Sequence, residues 1–332
     1  MAQDLREQAC WITLAFESGL NIRLINDILV AWCYQQKKSL QEFFAVNSSQ
    51  WVDVCGLRLE AVQKLERARE KLVAQSFLVE QLANASISLL TIFDEEYPRL
   101  LKTALKRNQT PPVLFYSGDL SILQRQTIAI IGSRNAGEQS LTFTHDVARY
   151  LAGRGANVIS GNARGVDRAA YEGAIDGNGH TTVVLPHGIR KLSGVKMREL
   201  LPKIDAGEVL LLSQFHPDAP WVVSRAMERN KVVTGLAQLV IVAESDTKGG
   251  TWEGANGALA QKRLLYVCQM NVPSLPGNEA LLKRGARSLP WPADNLADEL
   301  APLLDAGQEV QRRQMGASLP PGQLSLLAIS NQ

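Results

Sequence analysis

The residues of this chain best suited to chemistry are glycines bordered by arginine or lysine, set where apolar runs end. Ile128–Ile131 leads into Gly132-Ser133-Arg134, and Val158-Ile159 leads into Ser160-Gly161-Asn162-Ala163-Arg164. Leu239–Ala243 is followed by Lys248-Gly249-Gly250-Thr251. Glycine lets backbone N–H groups approach an anion, and a helix starting at such a turn adds its positive dipole end. One turn of this kind also reads as a plain strand-to-helix connection with a surface arginine. Several together describe a composite cradle for phosphate. Before the third turn, Arg225, Arg229, Asn230 and Lys231 fall on one helical stretch. Arg225 and Arg229, at i, i+4, form either a solvated face or a guanidinium and amide set for phosphate and base contacts. Asp167 reads as a local cap or ion-pair partner. Glu253, in a first helical turn, reads chiefly as a partner of the dipole and alternatively as an acid/base or ribose-binding group.

Other chemistries find little support. His145, His180, His187 and His216 are isolated, so no metal site is expected. Gly132 and Gly137 with Arg134 between them do not make the G-x-G-x-x-G of a dinucleotide site, and neither a Walker loop nor a G-x-S-x-G elbow occurs. No cofactor and no catalytic residue are assigned.

These turns need elements to hold them. Residues 4–84 carry apolar side chains at helical spacing, punctuated by Gly19, Ser39 and Gly56, and predict a separate all-helical domain over 1–84. From Ser88 short apolar strands appear, and beyond Thr127 strands and helices alternate: strands at Thr127–Ile131, Asn157–Ser160, Thr181–Leu185, Val209–Leu212, Gln238–Val242 and Leu264–Val267, helices between them. The stretch after Leu185 reads as irregular and basic. Strands apolar throughout, separated by helices, predict a doubly wound parallel sheet of the Rossmann-like α/β class over 85–306, with ligands at the carboxyl ends of the strands. Residues 307–332 read as a flexible tail.

The 332 residues carry 35 Lys and Arg against 33 Asp and Glu, a net charge of +2. Residues 1–126 are balanced at 14 and 14, residues 127–290 carry 19 against 14, and residues 291–332 carry 2 against 5. The positive excess therefore lies with the glycine-rich turns. No apolar run is long enough to span a bilayer, and the N-terminus lacks the pattern of a signal peptide. Four scattered cysteines suit reduced thiols in the cytoplasm.

In order and spacing, Asp94-Glu95-Glu96-Tyr97-Pro98-Arg99-Leu100-Leu101, Pro112–Asp119, Gly132-Ser133-Arg134, Ser160–Asp167, Glu228-Arg229-Asn230-Lys231 and Pro276-Gly277-Asn278-Glu279 resemble the DprA/Smf DNA-processing family. The similarity runs from about Leu5 to the Leu304 region. It implies an extended Rossmann-like domain that binds and protects single-stranded DNA, a helical domain of the sterile-alpha-motif or helix-hairpin-helix kind, loading of a RecA-type recombinase during DNA uptake, and a homodimer. By motif, Arg134, Arg164, Arg229, Asn230 and Lys248 match the positions that line the DNA pocket, with Gly132, Ser133, Ser160, Gly161 and Gly250 as its backbone.

Tyr171 and Lys231 depart from the family's usual His and Arg. His187-Gly188 is followed by Ile189-Arg190-Lys191-Leu192 instead of Tyr-Pro, and no C-terminal winged helix is expected. The chain thus reads as a divergent relative, of a kind suited also to mobile elements or defence. A second resemblance competes: Gly249-Gly250-Thr251-Trp252-Glu253 is similar to the signature of the LOG-like phosphoribohydrolases, on which reading Glu253 would act on a nucleotide's ribose.

Overall fold

The structure, a computed structural model, describes residues 4–161, 163–192, 194–270 and 275–316, and the chain forms two compact units. The first begins with six helices: α1 (Leu5–Ile12), α2 (Ile22–Ile28), α3 (Leu40–Ala45), α4 (Ser48–Cys55), α5 (Leu59–Arg69) and α6 (Leu72–Asn84). Side-chain caps hold the starts of α1, α2 and α3, whereas α4, α5 and α6 begin without one. Asn21 Oδ1 accepts Leu24 N at 2.9 Å, and Ser39 and Glu42 exchange side-chain and backbone bonds in a capping box. Gly56, with a left-handed φ of +63°, ends α4. Trp32, Phe43 and Trp51 are fully buried. The Phe43 and Trp51 rings stack at 5.2 Å, and Trp51 Nε1 donates to Phe43 O at 2.8 Å, so the indole is buried without an unmet donor. Neither α1 nor α2 stops where α-helical geometry ends; both continue as π-helical stretches, Thr13–Glu17 and Leu29–Gln35.

This unit extends past residue 84, to Tyr97 and again from Leu105 to Tyr116. Strands β1 (Ser88–Thr91) and β2 (Val113–Ser117) pair antiparallel, Leu89 facing Phe115 and Leu90 facing Leu114. Asn26 Nδ2 donates to Arg107 O at 2.7 Å and Thr110 O at 3.1 Å, and Tyr97 Oη donates to Pro111 O at 2.7 Å. The Asn26 bonds tie to the helices a segment that the sequence assigns to the second domain, and the Tyr97 bond closes that segment on itself.

The second unit takes α7 (Arg99–Ala104) and then alternates β3 (Thr127–Ile131), α8 (Glu138–Gly153), β4 (Asn157–Ser160), α9 (Val166–Asp176), β5 (His180–Val184), α10 (Gly194–Asp205), β6 (Val209–Ser213), α11 (Val223–Gly235), β7 (Leu239–Val242), α12 (Gly250–Ala260), β8 (Leu264–Met270), α13 (Pro276–Lys283), β9 (Arg287–Trp291) and α14 (Leu296–Gly316). Its strands run parallel in the order β6-β5-β4-β3-β7-β8-β9. Every residue of β3, β4, β6 and β7 is buried, as continuous Val/Ile/Leu runs require. This is the doubly wound α/β arrangement that the alternation predicts. The order reverses at β3, which pairs with β4 on one side and β7 on the other, and such a reversal opens a crevice at the carboxyl ends.

Three features differ from the sequence reading. The stretch after Leu185 is not wholly irregular but contains α10, whose buried Leu200 and Ile204 are outnumbered by charged side chains and separated by Pro202 within the helix. Beyond β8 the chain adds α13 and β9. The final helix runs to Gly316, so the segment 307–316 is helical, and residues 317–332 lie outside the described residues.

Candidate functional site

At the reversal the turns after β3, β4 and β7 meet. Ser133 N donates to Glu244 O at 2.9 Å, and Gly137 N to Glu244 Oε2 at 2.9 Å. Val166 N, at the start of α9, donates to Ser133 O at 3.2 Å. Gly165 holds a φ of +82° at this crossing, and a Cβ there would collide with the backbone of Ser133 and Arg134. The β7 turn is braced from behind by Asn278, which is 2% exposed. Its Oδ1 accepts Ser245 N at 2.9 Å, while its Nδ2 donates to Ala243 O at 3.0 Å and Cys268 O at 2.8 Å. The Pro276–Glu279 motif is therefore structural, fixing one of the turns.

Between them lies a cavity of about 430 Å³. Of the expected site residues, Gly132, Ser133 and Arg134 line it from β3, Gly161 from β4, Arg229 and Asn230 from α11, and Lys248, Gly249, Gly250 and Thr251 from the start of α12. Asn230 Nδ2 donates to Gly250 O at 3.2 Å, fastening α11 to that start. The first amides of α12 have no side-chain cap and no partner within the helix, which leaves donors for an anion. Lys248 is exposed and without a partner among the described residues.

Four expected residues lie elsewhere. Ser160 is fully buried, its Oγ without a partner among the described residues. Arg164 is exposed and bonds Asn135 Oδ1. Arg225 donates to Pro220 O at 2.7 Å and does not line the cavity, although α11 carries it one turn before Arg229, and Lys231 is exposed. Asn162, within the β4 turn, lies outside the described residues.

Arg229 is 3% exposed. Its Nη1 donates to Val184 O at 2.7 Å and its Nη2 lies 3.5 Å from the Asp167 carboxylate, while Nε has no partner among the described residues. The guanidinium crosses the spot where a side chain on Gly161 would stand, so glycine is obligatory there for this placement. Burial lifts the Asp167 carboxyl above the usual carboxylate range, with the Arg229 charge and the Ala163 and Gly161 amides pulling the other way. Around the cavity Arg134, Arg229 and Lys248 face Asp167 and Asp246. The balance is positive by one, with two cations free to meet a ligand. Asp167 is legible in the sequence only as a local cap or a local ion-pair partner, and Trp221, Val223 and Met227, which also line the cavity, carry no motif.

Glu253 is exposed and does not line the cavity, and its own N–H is taken by Gly249 O at 3.0 Å. Among the described residues no group of three His, Cys, Asp or Glu side chains is placed to hold a metal, and no helix is long and apolar enough to cross a membrane.

The family model described as DNA recombination-mediator protein A matches residues 88–301. Protein Smf of Synechocystis sp. is 27% identical over 314 residues, covering 91% of this chain and 75% of its own. The X-ray structure of DNA processing protein A from Streptococcus pneumoniae superposes with a TM-score of 0.68 at 23% identity, over 88% of this chain and 97% of that one, and shares its fold. A DNA processing protein A structure from Helicobacter pylori, described for its single-stranded DNA binding mode, gives 0.57 at 28% identity, over 66% of this chain and 96% of that one.

Proposed function

The chain belongs to the DNA recombination-mediator protein A family, and from that premise we propose that it binds single-stranded DNA by seating backbone phosphate in the cavity at the sheet reversal. The observation that carries the reading is the convergence of Arg134, Lys248 and the open amides of α12 on one cavity inside the family-matched segment. The Helicobacter pylori relative's described binding mode supports it. Arg134 and Lys248 neutralise phosphate directly. Arg229, buried and already bonded to Val184 O, shapes the floor and sets the local potential. On the same premise the proposal includes handing the bound strand to a RecA-type recombinase, a homodimeric assembly and a cytoplasmic setting. The work of the site is binding and presentation of the strand, with no bond made or broken.

Gel-shift or filter binding at two salt concentrations, comparing single-stranded with duplex DNA and using free nucleotide as competitor, tests it. Single strands are expected to bind more tightly than duplex, with log K falling as log salt rises. The double change Arg134→Ala and Lys248→Ala is expected to weaken binding and to flatten that slope by about 0.7 for each phosphate no longer neutralised. Absence of binding, or binding indifferent to the double change, would overturn the reading. Handover to a recombinase is read separately, as filament formation on strands precoated with a single-strand-binding protein.

A further inference from the structure

Where the loop after β6 enters α11, large apolar side chains stand in the open: Trp221 is 47% exposed, Val222 37%, Val223 64% and Met227 45%. Such groups normally seek cover, and a contiguous patch marks a contact surface. Trp221, Val223 and Met227 also line the cavity, so the patch is continuous with the site already described. The indole is not on a loose loop. Arg225 Nη1 holds Pro220 O at 2.7 Å, Gly188 N donates to Ala219 O at 2.9 Å, and Ala219 N donates to His216 O at 2.8 Å. The Arg134 guanidinium lies 5.8 Å from the centre of the Trp221 ring. A cation suited to phosphate and an aromatic face suited to a base are thus neighbours.

We propose that Trp221, flanked by Val223 and Met227, is a stacking platform for the nucleobase next to the phosphate held at Arg134. The inference rests on the single-stranded DNA reading and deepens it. In a strand each phosphate is flanked by bases, so seating phosphate at Arg134 brings a base to the indole. Every base has a π-face, which makes the platform tolerant of sequence. In a duplex those faces are already stacked on one another, so the platform favours single strands. It also assigns Arg225 a part: that side chain positions the Trp221 segment through Pro220 and leaves DNA contact to its neighbours.

The test is fluorescence anisotropy with an oligodeoxythymidylate of about 16 nucleotides and an abasic strand of equal length, using wild type, Trp221→Ala and Trp221→Phe. Sedimentation velocity and thermal melting of each protein accompany it. Wild type is expected to prefer the thymidylate. Trp221→Ala is expected to lose roughly 5- to 150-fold on thymidylate and little on the abasic strand, at an unchanged salt slope. Trp221→Phe, which keeps an aromatic face, is expected to retain most of the affinity. A folded Trp221→Ala protein that binds thymidylate like wild type, or that weakens equally on both strands, overturns the platform and leaves the DNA reading standing. A Trp221→Ala protein whose oligomeric state changes while its DNA affinity does not makes the patch an interface between copies and also overturns it. A wild type that binds neither strand removes the DNA reading itself.

Discussion

A guanidinium 3% exposed, bonded to one carbonyl and 3.5 Å from a carboxylate, has given up most of its hydration and is tolerated only because its partners replace it. Truncating Arg229 therefore strands Asp167. Arg229→Ala is expected to cost about 3 to 5 kcal/mol of stability, the usual penalty for leaving one member of a buried pair. The pH dependence has a definite sign. Burial raises the folded-state value of Asp167, and loss of the opposing Arg229 charge raises it further, so the protonated carboxyl is the form the variant tolerates. The gap in melting temperature between wild type and Arg229→Ala should then be smaller at about pH 4.5 than at about pH 7.5. A gap that grows in acid refutes the coupling. The sequence spells Arg229-Asn230 beside a strand and three glycine turns, which is enough to collect most of the cavity. It does not spell the Asp167–Arg229 pair, because 62 residues separate the partners and nothing local links them. For the same reason i, i+4 spacing groups Arg225 with Arg229, whereas in the fold Pro220 O captures it.

Helices α8 and α9 meet through a titratable clamp. His145 Nε2 on α8 lies 2.8 Å from Asp176 Oδ2 at the end of α9, and the same ring reaches Asp146 at 3.4 Å. The Asp176 bond, above all, raises the histidine from its ordinary 6.5. A raised folded-state value means that the contribution is complete below that ordinary value and fades as pH climbs through the raised one. The melting gap between wild type and His145→Gln is expected to be wider at about pH 5.5 than at about pH 8.5, and equal gaps would exclude the clamp. The alternation from β3 to β8 is legible because buried parallel strands are apolar throughout and their helices are not. Helix α10 is not, since charges mask its buried Leu200 and Ile204. The π-helical extensions of α1 and α2 are also hidden, because one extra residue per turn leaves a helical pattern looking helical.

Across the whole molecule the +2 net charge conceals an uneven distribution, and the segment of residues 127–290, with 19 basic against 14 acidic side chains, contains every turn of the cavity. A basic coat would have suited any nucleic acid surface, whereas a localised cavity suits a strand that can enter it. The unit boundary is less legible than the sheet, since the bonds from Asn26 to Arg107 and Thr110 override the change in local pattern near residue 85. The reversal in strand order has an energetic corollary. Gly132 and Thr251 line one cavity although more than a hundred residues separate them, so no local stretch of chain carries the site by itself. A bound strand must then act as a clasp on the assembled sheet, with its free energy added to global rather than local opening. Saturating oligonucleotide should slow amide hydrogen exchange in β3 and β7 alike, as mass spectrometry of peptides from each can record. Protection confined to the α12 turn would mean that the ligand holds a loop and not the fold.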